Sequence, residues 1–151
     1  MRVSELMTRH VATIELSDSA HTAVARMVAR KIRHLPVVSA DGALVGVVTD
    51  RDLRHHLFSA VILRGAQPVS VDALLKATRV KEVMSAPATT VDPDDDMDVA
   101  ARRMLERKIG SLPVVRNGHV VGIITETDLL RRIAEAQACS PECAAIVVPV
   151  P

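Results

Sequence analysis

Apolar and polar positions run along this chain in two series with the same order. In the first, Val11 to Ile14 is a short β-branched run, and Val24, Met27, Val28 and Ile32 then recur on one face at helical spacing. Leu35 to Val38 and Leu44 to Val48 follow as compact apolar runs, separated by a turn that contains Asp41-Gly42. The second series repeats the order with Ala88 to Val91, then Ala101, Met104, Leu105 and Ile109, then Leu112 to Val115 and Val120 to Ile124 around Asn117-Gly118. Spacings of three and four predict helices, and short β-branched runs bounded by turn residues predict strands. Asp-Gly and Asn-Gly between two strands are hairpin signals. Ser17-Asp18 and Asp94-Asp95-Asp96 supply candidate N-cap oxygens for the first helix of each series, and a last helix opens near Asp50 and Glu126. Each series therefore reads β-α-β-β-α.

The two series are an internal repeat. Met7 falls on Met84, Ile32 on Ile109 and Pro36 on Pro113, an offset of 77 residues. At Gly46 and Gly122 the offset is 76, because the turn Arg116-Asn117-Gly118 is one residue shorter than Ser39-Ala40-Asp41-Gly42. A length change confined to a turn is what a structural repeat tolerates. The expected organisation is a first repeat at 1–57, a linker at 58–79 with a short helix at Val71 to Thr78, a second repeat at 80–136 and a Pro-punctuated tail at 137–151. A single unit of this size buries only about 60% of its surface and is marginal alone, so two units should share one body.

Composition narrows the function classes. The 151 residues are 48% hydrophobic and 25% charged, an ordinary globular balance. Nineteen Lys and Arg oppose eighteen Asp and Glu, so bulk charge offers no reason to expect nucleic acid as a partner. No apolar run approaches the ~20 residues of a membrane span, and Met1 to His10 lacks the basic-then-apolar order of a signal peptide. No membrane partner and a cytoplasmic location are the expectations. Cys139 and Cys143 are too few for a metal site, so no metal is expected; reduced, idle thiols and a redox-active pair both stand as readings. Phe58 is the sole aromatic residue, so a planar base bound here must lie between aliphatic side chains.

The sharpest matched segments are Gly46-Val47-Val48-Thr49-Asp50-Arg51-Asp52 and Gly122-Ile123-Ile124-Thr125-Glu126-Thr127-Asp128. Thr-x-x-Asp at a strand-to-helix corner reads as a capping box. It also reads as a ligand corner, where a hydroxyl meets a phosphate or sugar oxygen and a carboxylate takes the two hydroxyls of a ribose. Duplication copies a cap as faithfully as a site, so both readings stay open. Asp92, Asp94, Asp95, Asp96 and Asp98 read as helix-start acids rather than a cation site. His55-His56 reads as a solvated helix end, and Met7 and Met84 as core plugs. No nucleophile paired with a base and no glycine-rich phosphate loop is found, so no enzyme is expected.

The full ordering resembles a tandem pair of cystathionine-β-synthase (CBS) domains, a Bateman module. Its carriers are Met near the start, Leu-Pro-Val-Val, Gly-Val-Val-Thr-x-x-Asp or Gly-Ile-Ile-Thr-x-x-Asp, then Asp-Leu. The resemblance covers nearly all of the chain outside the linker and tail. It implies an α/β architecture of α+β sandwich type, in which two β-α-β-β-α units are related by a pseudo-two-fold axis, and a homodimer. It also implies two clefts for adenosine-containing ligands such as AMP, ADP, ATP or S-adenosylmethionine, with no cofactor required. Carried over residue by residue, Asp52 and Asp128 hold ribose hydroxyls, and Thr49 and Thr125 approach phosphate or ribose oxygens. Thr13, Ile14, Pro36 and Val37, and likewise Thr90, Val91, Pro113 and Val114, shape the adenine slots.

The repeats differ in charge: Arg33, His34 and Arg51 in the first stand where Gly110, Ser111 and Thr127 stand in the second. The expectation is that the cleft of the first motif, with Asp52, is the better phosphate binder. Function then reads as a regulatory sensor that modulates a separate effector protein, or alternatively as a dimeric scaffold that binds no ligand.

Overall fold

The hydrophobic periods become regular elements in a computed structural model, which describes residues 1–63 and 70–137. In chain order these are α1 (Val3–Leu6), β1 (Ile14–Glu15), α2 (Ala20–Arg30), β2 (His34–Val38), β3 (Leu44–Thr49), α3 (Asp50–Leu63) and α4 (Val71–Ala77). The second half supplies α5 (Val80–Val83), α6 (Met97–Arg107), β4 (Ser111–Arg116), β5 (His119–Thr125) and α7 (Glu126–Gln137). Cys139, Cys143 and the tail lie outside the described residues.

Helices pack on two small sheets, an α+β fold. β2 and β3 form an antiparallel hairpin with Leu35 opposite Val48, and β1 runs parallel to β2 with Ile14 beside Val37. β4 and β5 form the matching hairpin with Leu112 opposite Ile124. Here the place of β1 is taken by one parallel bridge from Val91 to Val114. The first strand of each series is thus shorter than its β-branched run. Val11 and Ala12 are drawn out of the sheet, and an arginine satisfies the next carbonyl: Arg26 donates to Thr13 O at 2.7 Å, as Arg103 does to Thr90 O at 2.6 Å.

Helix starts also differ from expectation. α2 is capped by Ser19, whose hydroxyl accepts from Thr22 N at 3.1 Å, rather than by Ser17 or Asp18. Asp96 is the N-cap of α6, but its side chain makes no cap bond; it faces Arg2 at 3.5 Å. Asp95 accepts from Asp92 N at 3.0 Å and from Arg103 at 3.3 Å, so this acidic run is largely tied up with arginines. His56 Nε2 sits 3.3 Å from Thr78 Oγ1, which places it against the linker segment rather than in open solvent. α2 and α6 end alike, with Lys31 and Lys108 in the left-handed region at φ 54°. That conformation turns the chain sharply back toward the sheet.

The cores are not assembled from one repeat each. Ile14, Leu35, Val37 and Val48 close around Val80, while Val91, Leu112, Val114 and Ile124 close around Val3, and all but Ile14 and Val91 are wholly buried. α1 and α5, which the apolar pattern did not announce, have crossed over. Val3 N donates to Asp95 O at 2.9 Å, and Val80 N to Asp18 O at 2.9 Å. Beyond each short helix the chain pairs with the opposite hairpin: Thr8 exchanges two backbone bonds with Ile123 (2.9 and 3.0 Å), and Ser85 does so with Val47 (2.9 and 3.0 Å).

The exchange explains two glycines. A Cβ on Gly46 would come within 2.7 Å of the backbone oxygen of Ser85, and one on Gly122 would run into the end of the Met7 side chain, with Thr8 O at 3.2 Å, so glycine at both positions lets the crossing segments lie close. Met7 and Met84 are therefore the plugs at these crossings.

Candidate functional site

Each strand-to-helix corner is built the same way. Thr49 N and Thr49 Oγ1 both donate to Asp52 Oδ2 at 2.8 Å, and Asp52 N donates back to Thr49 Oγ1 at 3.2 Å. In the second copy the distances are 2.9, 2.7 and 3.3 Å for Thr125 and Asp128. These are reciprocal capping boxes. They use one carboxylate oxygen of each aspartate and fix the direction of the other. The helices are pinned from behind, since Asp50 N donates to Arg33 O at 3.1 Å and Glu126 N to Gly110 O at 3.0 Å.

Two cavities open on these corners. The first, of about 780 Å³, holds Thr125 and Asp128; the second, of about 860 Å³, holds Thr49 and Asp52. Because of the exchange of segments, each corner faces a wall from the other repeat. Val11, Ala12 and Ile32 stand across from Asp128, whereas Pro87, Ala88 and Ile109 stand across from Asp52. These are aliphatic surfaces, suited to the two faces of a flat ring in a chain with one aromatic residue.

None of Thr13, Ile14, Pro36, Val37, Thr90, Val91, Pro113 and Val114 lines either cavity. Ile14, Pro36 and Val37, with Val91, Pro113 and Val114, are buried in the two cores. The reason is the sandwiching of β2 and β4, which bury both faces; the cleft walls come instead from the segments just before the first strands. Of the other expected residues, Arg51, Ser111, Thr49 and Asp52 lie in the second cavity, and Thr125 and Asp128 in the first. Arg33 and His34 line both, because they sit on the ridge between them.

Charge divides the two cavities, but not as the residues of each repeat alone imply. Asp128 shares its cavity with Arg30, Lys31, Arg33 and Arg131. Asp52 shares its own with Arg33, Arg51, Arg54 and Lys108, and also with Asp50 and Glu126. Asp128 is 14% exposed, with Arg131 3.5 Å from its second oxygen. Arg54 is bound to Asp50 at 2.9 Å, which removes one cation from any ligand. The His34 imidazole titrates below its ordinary 6.5: burial disfavours the charged ring, Arg33 repels it, and Asp50, Glu126 and Asp52 pull weakly the other way. Arg30, Lys31 and Arg131 were missed in the sequence, because only the crossing brings the end of α2 to the corner of α7.

Among the described residues no three His, Cys, Asp or Glu side chains gather as a metal ion would need. No described helix is long and apolar enough to cross a membrane.

The family model that matches is described as "CBS domain", over residues 3–59 and 80–135. A homoserine O-acetyltransferase of Methanohalobium evestigatum is 33% identical over 88% of this chain, and the chain spans 24% of that relative's length. A Vibrio cholerae protein provisionally identified as an acetoin utilization protein (AcuB) is similar in structure, at a TM-score of 0.76, 33% identity, 91% coverage of this chain and 95% of that one. The CBS domain pair of protein MJ0100, solved with 5′-methylthioadenosine and S-adenosylmethionine, superimposes at a TM-score of 0.73 with 25% identity, covering 88% of this chain and 99% of that one. CBSX2, solved with AMP, does so at 0.69 with 27% identity, covering 90% and 98%.

Proposed function

We propose a function from one premise: this chain belongs to the CBS domain family. It is a regulatory module that binds adenosine-containing ligands in the two clefts and passes the binding on as a change in how the repeats meet a partner. AMP, ADP, ATP and S-adenosylmethionine are the ligands in view, and no catalysis is assigned. Asp52 and Asp128 offer their remaining oxygens to ribose hydroxyls, Thr49 and Thr125 lie beside the sugar-phosphate edge, and the aliphatic walls hold the base. The observation that carries this reading is the pair of corners with matching distances, each opening on a cavity large enough for a nucleotide. The solved structures of CBSX2 with AMP and of the MJ0100 pair with adenosine compounds support it.

A second copy of the chain covers the exposed apolar side chains of α3, among them Phe58 and Ile62. The module acts on an effector protein in the cytoplasm. For a ligand to act as a signal it must bind two arrangements of the module unequally, since equal binding shifts nothing.

Thermal denaturation with AMP, ADP, ATP, S-adenosylmethionine and 5′-methylthioadenosine tests the reading. A ligand at about 100 times its Kd adds ~2.7 kcal/mol, and Asp52→Ala with Asp128→Ala should abolish the gain. The capping boxes alone would explain the contacts between Thr49 and Asp52 and between Thr125 and Asp128. A flat response to all five compounds would therefore leave a scaffold without a ligand.

A further inference from the structure

We infer that the two clefts divide ligands by charge, with the Asp128 cleft taking the phosphate chain of a nucleotide and the Asp52 cleft taking an adenosine compound without phosphate. The assignment rests on the adenosine-sensor reading and names which corner does which. It also reverses what the residues of each repeat imply on their own, because the crossing carries α2's basic end to the opposite corner.

The argument begins with the acids that open the last helices. Asp50 begins α3 and Glu126 begins α7, so simple two-fold symmetry would give one to each cleft. Both instead line the Asp52 cavity. Where the first repeat has Arg33 the second has Gly110, and the Glu126 carboxylate fills that place, within 3.3 Å of where a Cβ would stand. A phosphate entering there meets two carboxylates beside the ribose acid, and one of the nearby cations, Arg54, is already held by Asp50. Around Asp128 the lining cations Arg30, Lys31, Arg33 and Arg131 meet one carboxylate, Asp128 itself, which Arg131 approaches at 3.5 Å. Charge-assisted bonds to a polyphosphate are therefore available on one side and opposed on the other.

The apolar lining points the same way. The Asp52 cavity runs on past the corner over Met104, Leu105, Leu129, Leu130 and Ile133. Such a surface accepts a thioether or alkyl tail at the 5′ position and gives nothing to a phosphate, whose desolvation it would make costly. The counterparts of these residues, Met27, Val28, Leu53, Arg54 and Leu57, do not line the Asp128 cavity.

The test is calorimetric titration of the full chain with ATP and, separately, with 5′-methylthioadenosine. Replacing Arg30→Ala with Arg131→Ala should weaken ATP by about tenfold or more and leave 5′-methylthioadenosine within about twofold. Arg51→Ala with Lys108→Gly should leave ATP within about twofold. Asp52→Ala should then weaken 5′-methylthioadenosine selectively, and Asp128→Ala should weaken ATP selectively. Loss of ATP through the Arg51/Lys108 pair, or equal loss through both pairs, overturns the division while leaving the sensor reading intact. No binding of either compound by the parent chain overturns the division, and the sensor reading falls with it if AMP, ADP and S-adenosylmethionine also fail to bind.

Discussion

The corner at Thr49 and Asp52 and the corner at Thr125 and Asp128 agree to within a tenth of an ångström in every hydrogen bond. Their surroundings differ in charge: one cavity gathers three carboxylates, the other one. The corner is made of residues three apart on one strand-helix junction, so a duplicated sequence rebuilds it automatically. The walls come from the opposite copy, so each cleft inherits the substitutions of both repeats. A duplicated fold can thus keep its backbone machinery in step while its two clefts acquire different electrostatics.

The most severe way to break the comparison is to attack the exchanged segments. Val3→Asp places a charge in the core of the second repeat and Val80→Asp in that of the first, and each should cost more than about 4 kcal/mol. Hydrogen exchange should show Val3→Asp deprotecting β4 and β5 before β2 and β3, with the opposite order for Val80→Asp. Protection lost first in the variant's own repeat would refute the exchange.

A smaller effect separates the two crossings. Gly46→Ala drives a methyl against the fixed carbonyl of Ser85, whereas Gly122→Ala first meets the flexible end of Met7, with the carbonyl of Thr8 at 3.2 Å. Chemical denaturation should show a loss of about 2–3 kcal/mol for Gly46→Ala and nearer 1 kcal/mol for Gly122→Ala.

The capping boxes should look alike. Without ligand, Asp52→Ala and Asp128→Ala should each cost about 1 kcal/mol, as a lost cap does. A cost confined to one of them would end the equivalence of the corners.

The gentlest probe is His34, whose counterpart is Ser111. Its depressed pKa means the folded chain binds fewer protons than the unfolded one once the pH falls below 6.5. The stability present above that pH is therefore lost as the pH drops from 6.5 through the depressed value. His34→Ser should flatten this part of a plot of Tm against pH, an effect smaller than any of the others. An unchanged slope would show that burial of the ring does not penalise its charge.

Much of this was legible in advance for a local reason. Hairpins at Asp41-Gly42 and Asn117-Gly118, the linker helix from Val71, and the openings of α3 and α7 depend on neighbours in the chain. The Thr and Asp residues were identifiable because their partners lie three positions away. The expected slot residues do not line the two cavities, since Ile14, Pro36, Val37, Val91, Pro113 and Val114 are taken up by the cores. The N-cap of α2 moved to Ser19, while that of α6 is Asp96, one of the three acids expected there, because several polar residues compete at a helix start and only the packed geometry selects one.

What the amino-acid order determined alone is the repeat, its elements and its two polar corners, since all of these follow from short-range spacing and turn chemistry. Which copy of each corner meets which wall was decided by tertiary structure. Val3 and Val80, Met7 and Met84 have the same size and pattern, so nothing local distinguishes packing at home from packing across. Only the long-range pairing of Thr8 with Ile123 and of Ser85 with Val47 selects the exchange, and with it the charge each cleft presents.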